Sequence, residues 1–564
     1  MRHPLLRLAP LFRPHLGLLG ASMGGLLLAS GLTLALPWIV ARAIDTYIEQ
    51  ADRTGLMWCA AAYFGVLLST LLMRYGSRIG IEIVAQQAMV ALKKKLFGHL
   101  IDHDLAFHDD RTSGRLITRV QGDPESLRVL FTEVILATPA DVLMFIGVFT
   151  VIGISAPDMM LPVFSVVPPY ILAFVVFRKY GPPRFLALRK EKAQLTGFLT
   201  EALRAVPTLR RFDQLDWADA RAEAHNRSVF HAQVQSGLMG VYYFNAVFMT
   251  RTLGYTFLLF YGAHRVADGT VSVGALVMAM GYMRQLFNPL MRLSHQLSTL
   301  ETARAAAIRV ADILDTPREI VDPEEPVEWP GVRDGIRLEG VGFHYHEGTQ
   351  VLHDVDLEVG VGQRVGIVGA TGSGKSTVLN LLLRFRDPVS GRVTIDGVDL
   401  RDMRVDDIRR HVGLVLQDVH LFRGTVLENL GGDADKAQRA LDTLGVDISL
   451  ERPLNDGASD LSRGERQLLT FARALVEDPE ILVLDEATSA VDPATEARLQ
   501  AALEQLQAGR TTIMVAHRLS TVRDCDQIFV LSAGSVVESG NHHELLDRNG
   551  LYAALAHLQQ GAAA

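Results

Sequence analysis

The chain has 564 residues, 49% of them hydrophobic, and a formal net charge of −8. This length exceeds a single domain of about 100–200 residues, so several domains are expected. The acidic balance argues against a nucleic-acid-binding protein, whose binding face would be basic. The two cysteines, Cys59 and Cys525, lie far apart in the sequence, which argues against a disulfide framework.

The first half of the chain carries long apolar runs. The first run, GLLGASMGGLLLASGLTLALPWIV, exceeds the roughly 20 residues that a helix needs to cross a bilayer core. A cleaved signal peptide is the alternative, but this run is long, contains Pro37 and lacks a small-residue cleavage pattern. The sequence predicts six spans, of which the fourth and sixth are interrupted by prolines or an arginine. These spans are 17–40, 55–73, 133–154, 158–177, 239–265 and 271–290.

The segments between the spans differ in their content of basic residues. The N-terminal segment and the long connections 74–130 and 178–238 are rich in Lys and Arg, whereas the short links 41–54, 155–157 and 266–270 hold few. Short basic flanks mark the cytoplasmic side of a membrane. Both termini are therefore expected inside the cell, with the protein spanning the inner (plasma) membrane several times.

The two long cytoplasmic connections are predicted to be helical. The stretch IGIEIVAQQAMVALKKKLFGHLIDHDLAFH repeats apolar residues at helical spacing, so the second span is expected to continue as a rod into the cytoplasm. Turn-forming residues interrupt the connections at 109–116 and 205–212. These two breaks are candidate contact points for whatever lies below the membrane.

A change of composition marks the end of the membrane part. The stretch TPREIVDPEEPVEWPG at 316–331 contains four prolines and a cluster of acids, which disfavours a helix or a central strand. Short apolar strands and helices alternate after it, as in a soluble α/β domain. The predicted division is 1–315 for the membrane domain, 316–335 for the linker and 336–564 for the soluble domain.

The strongest motif follows an apolar strand in RVGIVGATGSGKST. Residues Gly369 to Ser376 fit the pattern G-x-x-x-x-G-K-[ST], in which glycines let backbone N–H groups surround a phosphate at a helix start. Lys375 is expected to reach the β- and γ-phosphates of a nucleotide, and the Ser376 hydroxyl to join a Mg²⁺ shell. The order of strand, loop and helix makes this pattern specific for nucleotide binding.

Two further buried strands end in polar residues. ILVLDEATS ends in Asp485, which suits the Mg²⁺ side, and Glu486, which suits a general base that orients water. The alternative is a pair of helix-capping acids, which is also the simplest interpretation of Asp492. TTIMVAHRLS ends near His517, which can contact a γ-phosphate, although a lone histidine is more often a core residue.

Taken together, these motifs resemble an ATP-binding-cassette (ABC) transporter. The resemblance rests on Gly369–Ser376, Gln417 in VGLVLQDVHLF, Ser462 and Gly464 in LSRGERQ, Asp485 and Glu486, SAVD at 489–492, and His517. Six spans followed by one cassette look like a half-transporter of the exporter type (type IV fold). The fold implied is an all-α six-helix transmembrane domain plus an α/β P-loop (RecA-like) ATPase domain with antiparallel β and helical subdomains.

The resemblance also implies roles for individual residues. Tyr345 resembles the aromatic residue that stacks on adenine, and the breaks at 109–116 and 205–212 resemble coupling helices. Asp456 lies where many exporters have a glutamate that contacts a coupling helix. The implied catalytic set is Glu486, His517 and Gln417, with Mg²⁺ held by Ser376, Gln417 and Asp485. The implied ATP-binding set is Tyr345, Gly369, Thr371, Gly372, Ser373, Gly374, Lys375, Ser376, Thr377, Asp485, Ser462 and Gly464.

The stretch DLSRGERQLL departs from the family pattern. In the family this signature helix contacts the γ-phosphate held by a second subunit. Ser462 can cap the helix and donate its hydroxyl, and the Gly464 backbone can approach the nucleotide closely, so both essential residue types are present. Arg463 stands where glycine is common, and Glu465 where glutamine is common. An intact catalytic set with an altered signature resembles one half of an asymmetric heterodimer, so we expect a second half-transporter as partner and favour a heterodimer over a homodimer.

The implied function is ATP-driven transport by alternating access, most simply export of lipids, drugs or small amphiphiles. Charges within predicted spans usually face a cavity or one another. Arg251 and Arg284 are therefore candidate cavity residues that favour amphipathic or anionic substrates. The alternatives are a structural Arg–Asp pair with Asp141, or positions where these spans already extend into water. Import of a siderophore-like ligand and ATP-gated regulation without pumping remain open alternatives. No peptidase domain precedes the first span, so a peptide-processing subtype is not expected.

Overall fold

The computed structural model describes residues 4–109, 111–346, 348–416, 420–485, 493–516 and 519–563. The chain divides into two compact units. The first, which we call the helical unit, comprises Met1–Asp102 and Thr112–Thr316. The second, which we call the α/β unit, comprises His103–Arg111 and Pro317–Ala564. A short segment that interrupts the helical unit in sequence therefore belongs to the other unit.

Long helices dominate the chain up to residue 316. They are α1 (Leu16–Arg42), α2 (Arg53–Ile101), the short α3 (Leu105–Asp109), α4 (Ser113–Val129), α5 (Thr138–Ser155), α6 (Met160–Phe164), α7 (Val167–Arg204), α8 (Val206–Arg211), α9 (Leu215–Ala267) and α10 (Val273–Asp315). A 3₁₀ segment, Pro4–His15, precedes α1, and π-helical segments follow α1 (Ala43–Ile48) and α4 (Leu130–Ile135).

Four helical stretches among the described residues are long and apolar enough to cross a membrane. They are Pro10–Ile48, Arg53–Ile101, Ser113–Ser155 and Pro157–Arg204. They contain the first four predicted spans, including the fourth, where Pro168 and Pro169 begin α7 just after the break at Ser165. The fifth and sixth predicted spans lie in α9 and α10, which are long enough but too polar to meet the same criterion.

The two predicted breaks of the cytoplasmic rods are both present, although the first starts earlier than expected. The break expected at 205–212 is present as a turn at Ala205 followed by α8. The break expected at 109–116 is also present, because α3 ends at Asp109 and α4 begins at Ser113, but the interruption starts earlier, where α2 ends at Ile101. The sequence did not predict this earlier start, at which the Asp104 carboxylate accepts hydrogen bonds from the backbone of Glu319 and Ile320.

A proline joins α1 to α10. Pro37 has no N–H, so the carbonyl of Thr33 loses its helical donor, and Gln285 Nε2 of α10 donates to that oxygen at 3.1 Å. The Tyr282 hydroxyl donates to the neighbouring carbonyl of Leu34 at 2.6 Å. Gly281 allows the approach, because a Cβ there would lie 3.0 Å from Pro37 Cβ. The polar backbone exposed by the proline is thus satisfied by α10.

The described residues of the α/β unit form three sheets. The strands are β1 (Ile336–His344), β2 (Gln350–Val359), β3 (Arg364–Gly369), β4 (Ser390–Ile395), β5 (Val398–Asp399), β6 (Val412–Val415), β7 (Gly424–Thr425), β8 (Pro453–Leu454), β9 (Ile481–Asp485), β10 (Thr511–Val515), β11 (Gln527–Ser532) and β12 (Ser535–Gly540). The largest sheet has the order β12-β11-β3-β10-β9-β6 and is parallel except for β12. An antiparallel sheet has the order β2-β1-β4-β5, and β7 pairs with β8.

Helices cover both faces of the largest sheet. The helices after residue 335 are α11 (Lys375–Leu382), α12 (Val405–His411), α13 (Val426–Asn429), α14 (Ala434–Thr443), α15 (Arg463–Glu477), α16 (Pro493–Gln507), α17 (Leu519–Val522), α18 (His542–Asp547) and α19 (Leu551–Ala563). Successive strand residues point to opposite faces, so Ile513 joins the core shared with the antiparallel sheet, whereas Met514 joins the core of the helical side. Both faces are buried, as parallel sheets require.

The predicted linker is attached to the α/β unit. Residues 316–335, all of which the structure describes, contain no helix or regular strand. Arg384, whose side chain is 3% exposed, donates to the carbonyl of Val321 at 3.1 Å. Trp329 stacks on His411 with ring centroids 4.6 Å apart and donates to Glu480 at 3.1 Å. These contacts fix the proline-rich stretch to the surface of the α/β unit.

Candidate nucleotide-binding site

Two of the predicted motifs lie at one edge of the largest sheet. β3 ends at Gly369 and β9 ends at Asp485, with β10 between them. Val515 of β10 pairs with both Ile367 and Asp485, so the two motifs follow strands in matching register. Parallel strands lie about 4.8 Å apart, which places the two strand ends roughly 10 Å from each other. Ligands of open α/β sheets bind at this carboxyl edge.

The loop after β3 has the backbone that the motif predicts. Gly372 and Gly374 have φ of 82° and 104°, a left-handed conformation that favours glycine. A side chain at Gly374 would also collide with Leu352, whose Cδ2 lies 2.6 Å from the position of a Cβ. α11 begins directly afterwards at Lys375, so its N-terminal N–H groups face the loop. A curled loop at a helix start is a site for phosphate.

Polar side chains in this loop are buried in a way that suits an anion. Lys375 is 5% exposed and donates from Nζ to the carbonyls of Gly369 at 2.8 Å and Ala370 at 3.0 Å. Ser373 is 4% exposed, and its hydroxyl has no hydrogen-bond partner among the described residues. Buried polar groups are rarely left without a partner. A phosphate in the loop would supply acceptors to both groups, so the residues present fit a nucleoside triphosphate.

Tyr345 lies beside the helix that follows the loop. Its hydroxyl is 3.1 Å from Thr377 Oγ1, and Asn380 Nδ2 donates to it at 3.3 Å. The side chain is 36% exposed, so part of its ring remains accessible. The Arg386 guanidinium lies over this ring, 5.4 Å from its centroid. The sequence analysis did not identify Arg386 as a functional residue, because no motif assigns a role to its position in RFRDP after the helix.

The signature stretch begins α15 with a complete capping box. Ser462 Oγ accepts from the Glu465 N–H at 3.2 Å, and the Glu465 carboxylate accepts from the Ser462 N–H at 2.8 Å. The hydrogen bonds from Ser462, with Arg452 and Arg498 nearby, hold the pKa of Glu465 below its ordinary value. The capping role predicted for Ser462 is therefore present. Arg463 is the exposed first residue of the helix.

A contact within its own chain explains why position 464 is a glycine. A Cβ at this position would lie 2.2 Å from Thr495 Cγ2 on α16, so even alanine requires a shift. The sequence-based reason for this glycine was close approach to a nucleotide, and the contact with α16 acts in addition. The remaining catalytic candidates Gln417, Glu486 and His517, together with 489–492, lie outside the described residues.

Comparisons with known proteins agree with this geometry. Residues 19–290 match the family described as ABC transporter transmembrane region, and residues 352–489 match the family ABC transporter. The chain is 31% identical to the ATP-dependent lipid A-core flippase of Syntrophus aciditrophicus, over 98% of this chain and 94% of that protein. This chain belongs to the ABC transporter family.

Two further comparisons place it among exporters of that family. It is 32% identical to the probable multidrug resistance ABC transporter ATP-binding/permease protein YheH of Bacillus subtilis, over 91% of this chain and 78% of that protein. A bacterial Atm1-family ABC exporter solved with ATP bound matches with a TM-score of 0.81 and 26% identity, over 97% of this chain and 98% of that chain. The ABC protein described here is thus an exporter-type half-transporter.

This membership fixes the coarse function of both units. The α/β unit is an ATP-hydrolysing nucleotide-binding domain on the cytoplasmic side, and the helical unit is the transmembrane domain in the inner membrane. Half-transporters of the family dimerise, so the chain works with a second half-transporter. The expected fold class, a helical membrane domain followed by a P-loop ATPase domain, is confirmed.

The predicted charges of the ABC membrane domain occupy two places. Arg251 and Arg284 are exposed, and both lie close enough to Tyr255 to act on it electrostatically. Arg251 also lies over the ring of Phe248, 5.2 Å from its centroid. Asp141, the acid predicted as their alternative partner, instead pairs with Arg292.

Asp141 belongs to a cluster of polar side chains. We call its members, Arg74, Asp141, Arg292 and Gln296, the inner cluster. Gln296 Nε2 lies 3.5 Å from Asp141. Arg74 acts electrostatically on both Arg292 and Asp141, and it donates to Thr33 Oγ1 of α1 at 2.9 Å. The cluster therefore joins α2, α5 and α10 and contains two cations for one carboxylate.

Proposed function

We propose that this ABC half-transporter exports amphiphiles that carry an anionic headgroup. The observation that carries the proposal is the inner cluster, whose four described residues include two cations, Arg74 and Arg292, and one carboxylate, Asp141. Two cations beside one anion leave an excess positive charge, and arginine guanidinium groups pair favourably with carboxylate and phosphate groups. An anionic headgroup would compensate that excess charge.

The depth of the cluster supports a headgroup rather than a tail. Arg74 lies 21 residues after the start of α2 at Arg53, and Arg292 lies 19 residues after the start of α10 at Val273. At 1.5 Å per residue these distances are about 30 Å from the expected outer ends. The hydrocarbon core is itself about 30 Å thick. The cluster thus lies near the level of the cytoplasmic leaflet's headgroups.

An apolar surface lies on α1 and on two helices of the cluster, α5 and α10, nearer the expected outer side. An open cavity of about 410 Å³ is lined mainly by apolar residues of α1, α5 and α10. Its lining residues are Gly31, Leu34, Ala35, Trp38, Val151, Ile154, Ser155 and Tyr282. A polar cluster below an apolar surface suits an amphiphile whose chain points into the bilayer. Arg251 and Arg284 remain proposed contributors to the same preference for anionic substrates.

The nucleotide chemistry is proposed from the motif positions. Lys375 and the loop glycines would hold the phosphates of ATP, Tyr345 would stack on adenine, and Ser376 with Asp485 would hold Mg²⁺. Glu486 would orient water, with Gln417 and His517 contacting the reacting phosphate. ATP bound between two cassettes would favour a closed dimer, and hydrolysis would remove that bias.

We further propose that the partner is a different half-transporter. Support comes from Arg463, which places a bulky exposed side chain at the start of α15, where a second subunit's nucleotide is expected to approach. We also propose that residues 1–315 cross the membrane six times, with the fifth and sixth spans in α9 and α10. Co-purification with a second half-transporter, and stimulation of ATPase activity by that partner, would test the heterodimer.

The substrate proposal is tested in proteoliposomes that contain the complete dimer. Arg74→Gln and Arg292→Gln are expected to reduce ATPase stimulation by anionic amphiphiles such as oleate about tenfold and to leave stimulation by quaternary ammonium amphiphiles unchanged. Arg265→Gln is the matched control, because Arg265 pairs with Asp158 in the same unit. Equal loss for anionic and cationic compounds would contradict the proposal. Arg251→Gln with unchanged responses to both classes would remove Arg251 from it.

A further inference from the structure

Arg386 has an environment that none of the assigned roles explains. Its side chain is 12% exposed, and Nη2 donates to the Asp109 carboxylate at 2.8 Å. Glu319 lies further away, with its carboxylate 3.9 Å from Nη1. The buried Nε has no hydrogen-bond partner among the described residues. A desolvated guanidinium with an unused donor is costly for stability alone, which points to a function.

The carboxylate that holds Arg386 belongs to the first cytoplasmic break of the helical rods. Residues His103–Arg111 form part of the α/β unit, and Phe107 within them is 4% exposed. Asp104 of the same segment accepts hydrogen bonds from the backbone of Glu319 and Ile320. The segment is therefore anchored at both ends of α3, by Asp104 on one side and by Asp109 on the other.

On its other side Arg386 reaches the nucleotide site. Its guanidinium carbon lies 5.4 Å from the centroid of the Tyr345 ring, within the range of a cation–π contact. The Tyr345 hydroxyl is 3.1 Å from Thr377 Oγ1 in the helix after the phosphate loop. A continuous series of contacts thus runs from Asp109 through Arg386 and Tyr345 to Thr377.

We propose that Arg386 is a positioning residue that orients Tyr345 for the base of the nucleotide and transmits base binding to residues 103–111. A planar guanidinium over the ring limits how the tyrosine can turn, and Asp109 fixes the guanidinium in turn. Base stacking on the exposed part of the ring therefore stabilises the arrangement in which the Asp109 contact is made. This inference rests on the proposed role of Tyr345 as the residue that stacks on adenine.

The test compares two ligands that share the phosphate chain and differ in the base. Binding of ATP and of inorganic tripolyphosphate is measured on the full-length dimer in nanodiscs, in the presence of Mg²⁺. Arg386→Gln is expected to weaken ATP binding about fivefold and Asp109→Asn about twofold, with tripolyphosphate affinity unchanged in both. The double variant is expected to be no weaker than Arg386→Gln, because the two residues act in series.

Control variants separate the possible failures. Arg392→Gln removes an exposed arginine that pairs with Glu339 in the same unit, and it should bind both ligands normally. Equal weakening of ATP and tripolyphosphate by Arg386→Gln would show a general structural role and overturn the inference, as would unchanged ATP binding. Asp109→Asn, at a carboxylate that is 53% exposed, tests the same link if Arg386→Gln fails to fold.

A different result would contradict the proposed role of Tyr345. If Tyr345→Ala binds ATP as tightly as the unmodified protein, the tyrosine does not stack on the base. A base-specific loss in Arg386→Gln alone would then assign the base contact to Arg386 itself and overturn its positioning role. Loss in both variants, confined to ATP, is the result expected.

Discussion

The two cytoplasmic breaks in the helical rods interrupt similar helices but end in different surroundings. Residues His103–Arg111 around α3 belong to the α/β unit and bury Phe107. α8, at Val206–Arg211, belongs to the helical unit, contains no buried residue, and is followed by Phe212 with 66% of its side chain exposed. One break is held by contacts within its own chain, whereas the other presents an exposed surface that a partner subunit can cover.

If both breaks act as coupling segments, as the family resemblance implies, this difference predicts separate roles for them in the dimer. The segment around α3 should move with its own α/β unit, because Asp104 binds the backbone of that unit and Asp109 binds Arg386. A segment that is exposed in the single chain gains a fixed position only from a second chain. The consequences of mutation should therefore differ, with stability affected at the first break and coupling at the second.

The largest expected effect is on stability and distinguishes two phenylalanines. Phe107→Ala should destabilise the α/β unit by about 3–5 kcal/mol, because it leaves a cavity. Phe212→Ala, at an exposed position, should change stability by less than about 0.5 kcal/mol. Denaturant unfolding combined with hydrogen exchange in the α/β unit of the full-length protein measures both. Similar losses for the two variants would remove the contrast between the breaks.

The next effect concerns coupling through α8. If the partner subunit contacts the exposed Arg210 and Arg211 side chains, replacing both by glutamine should weaken coupling. Transport-linked ATPase activity of the dimer should then fall about tenfold, which corresponds to about 1.4 kcal/mol. ATP affinity should stay unchanged, since the nucleotide site is untouched. Arg227→Gln, which removes an exposed arginine on α9, is the control. Unchanged coupling would mean that α8 makes no energetically important contact.

A smaller effect tests the anchoring of the first break. Asp104→Ala removes the acceptor for the Glu319 and Ile320 N–H groups and should cost about 1 kcal/mol. Faster hydrogen exchange should appear at residues 103–111 before it appears elsewhere in the unit. Glu319→Ala keeps the backbone donor and serves as the control. Equal exchange in both variants would show that the carboxylate of Asp104 does not hold the segment.

The smallest effect extends the comparison to α15, which like α8 starts at the surface but has a local cap. The pKa of Glu465 is lowered by Ser462, so its contribution is complete above the ordinary carboxyl pKa and disappears as pH falls through the lowered value. Protection of the first turn of α15 should stay level from pH 7 to about 5 and decrease by about 0.5–1 kcal/mol only at lower pH. A decrease already at pH 6 would contradict this assignment. Glu465→Gln should remove the pH dependence.

Local patterns made much of this fold predictable. The order of strand, glycine loop and helix predicted the position of Gly369–Ser376, and apolar strand ends predicted Asp485 at the same edge. Apolar length predicted the first four membrane helices, since that property is local to each segment. Turn chemistry predicted the break before α8, because Pro207 and its neighbours disfavour a continuous rod.

Contacts between distant residues were not predictable in the same way. The first break begins earlier than expected, in a segment where Asp104 binds backbone over 200 residues away. Asp141 pairs with Arg292 rather than with Arg251 or Arg284, and nothing in the apolar pattern distinguishes these arginines. The contact of Arg386 with Tyr345 depends on side-chain packing after the phosphate loop, which no motif describes.

The contacts at Pro37 restrict which helices of the membrane domain can slide past one another. Gln285 donates to the Thr33 carbonyl, which Pro37 leaves without its helical donor, so separating α10 from α1 would leave that oxygen without a donor in lipid. The bond from Tyr282 to the Leu34 carbonyl would be lost with it. Each broken bond would cost on the order of 1–3 kcal/mol. α1 and α10 should therefore move together as one rigid pair throughout the transport cycle. The conformational change that opens the transport pathway should then separate other helix pairs of the membrane domain.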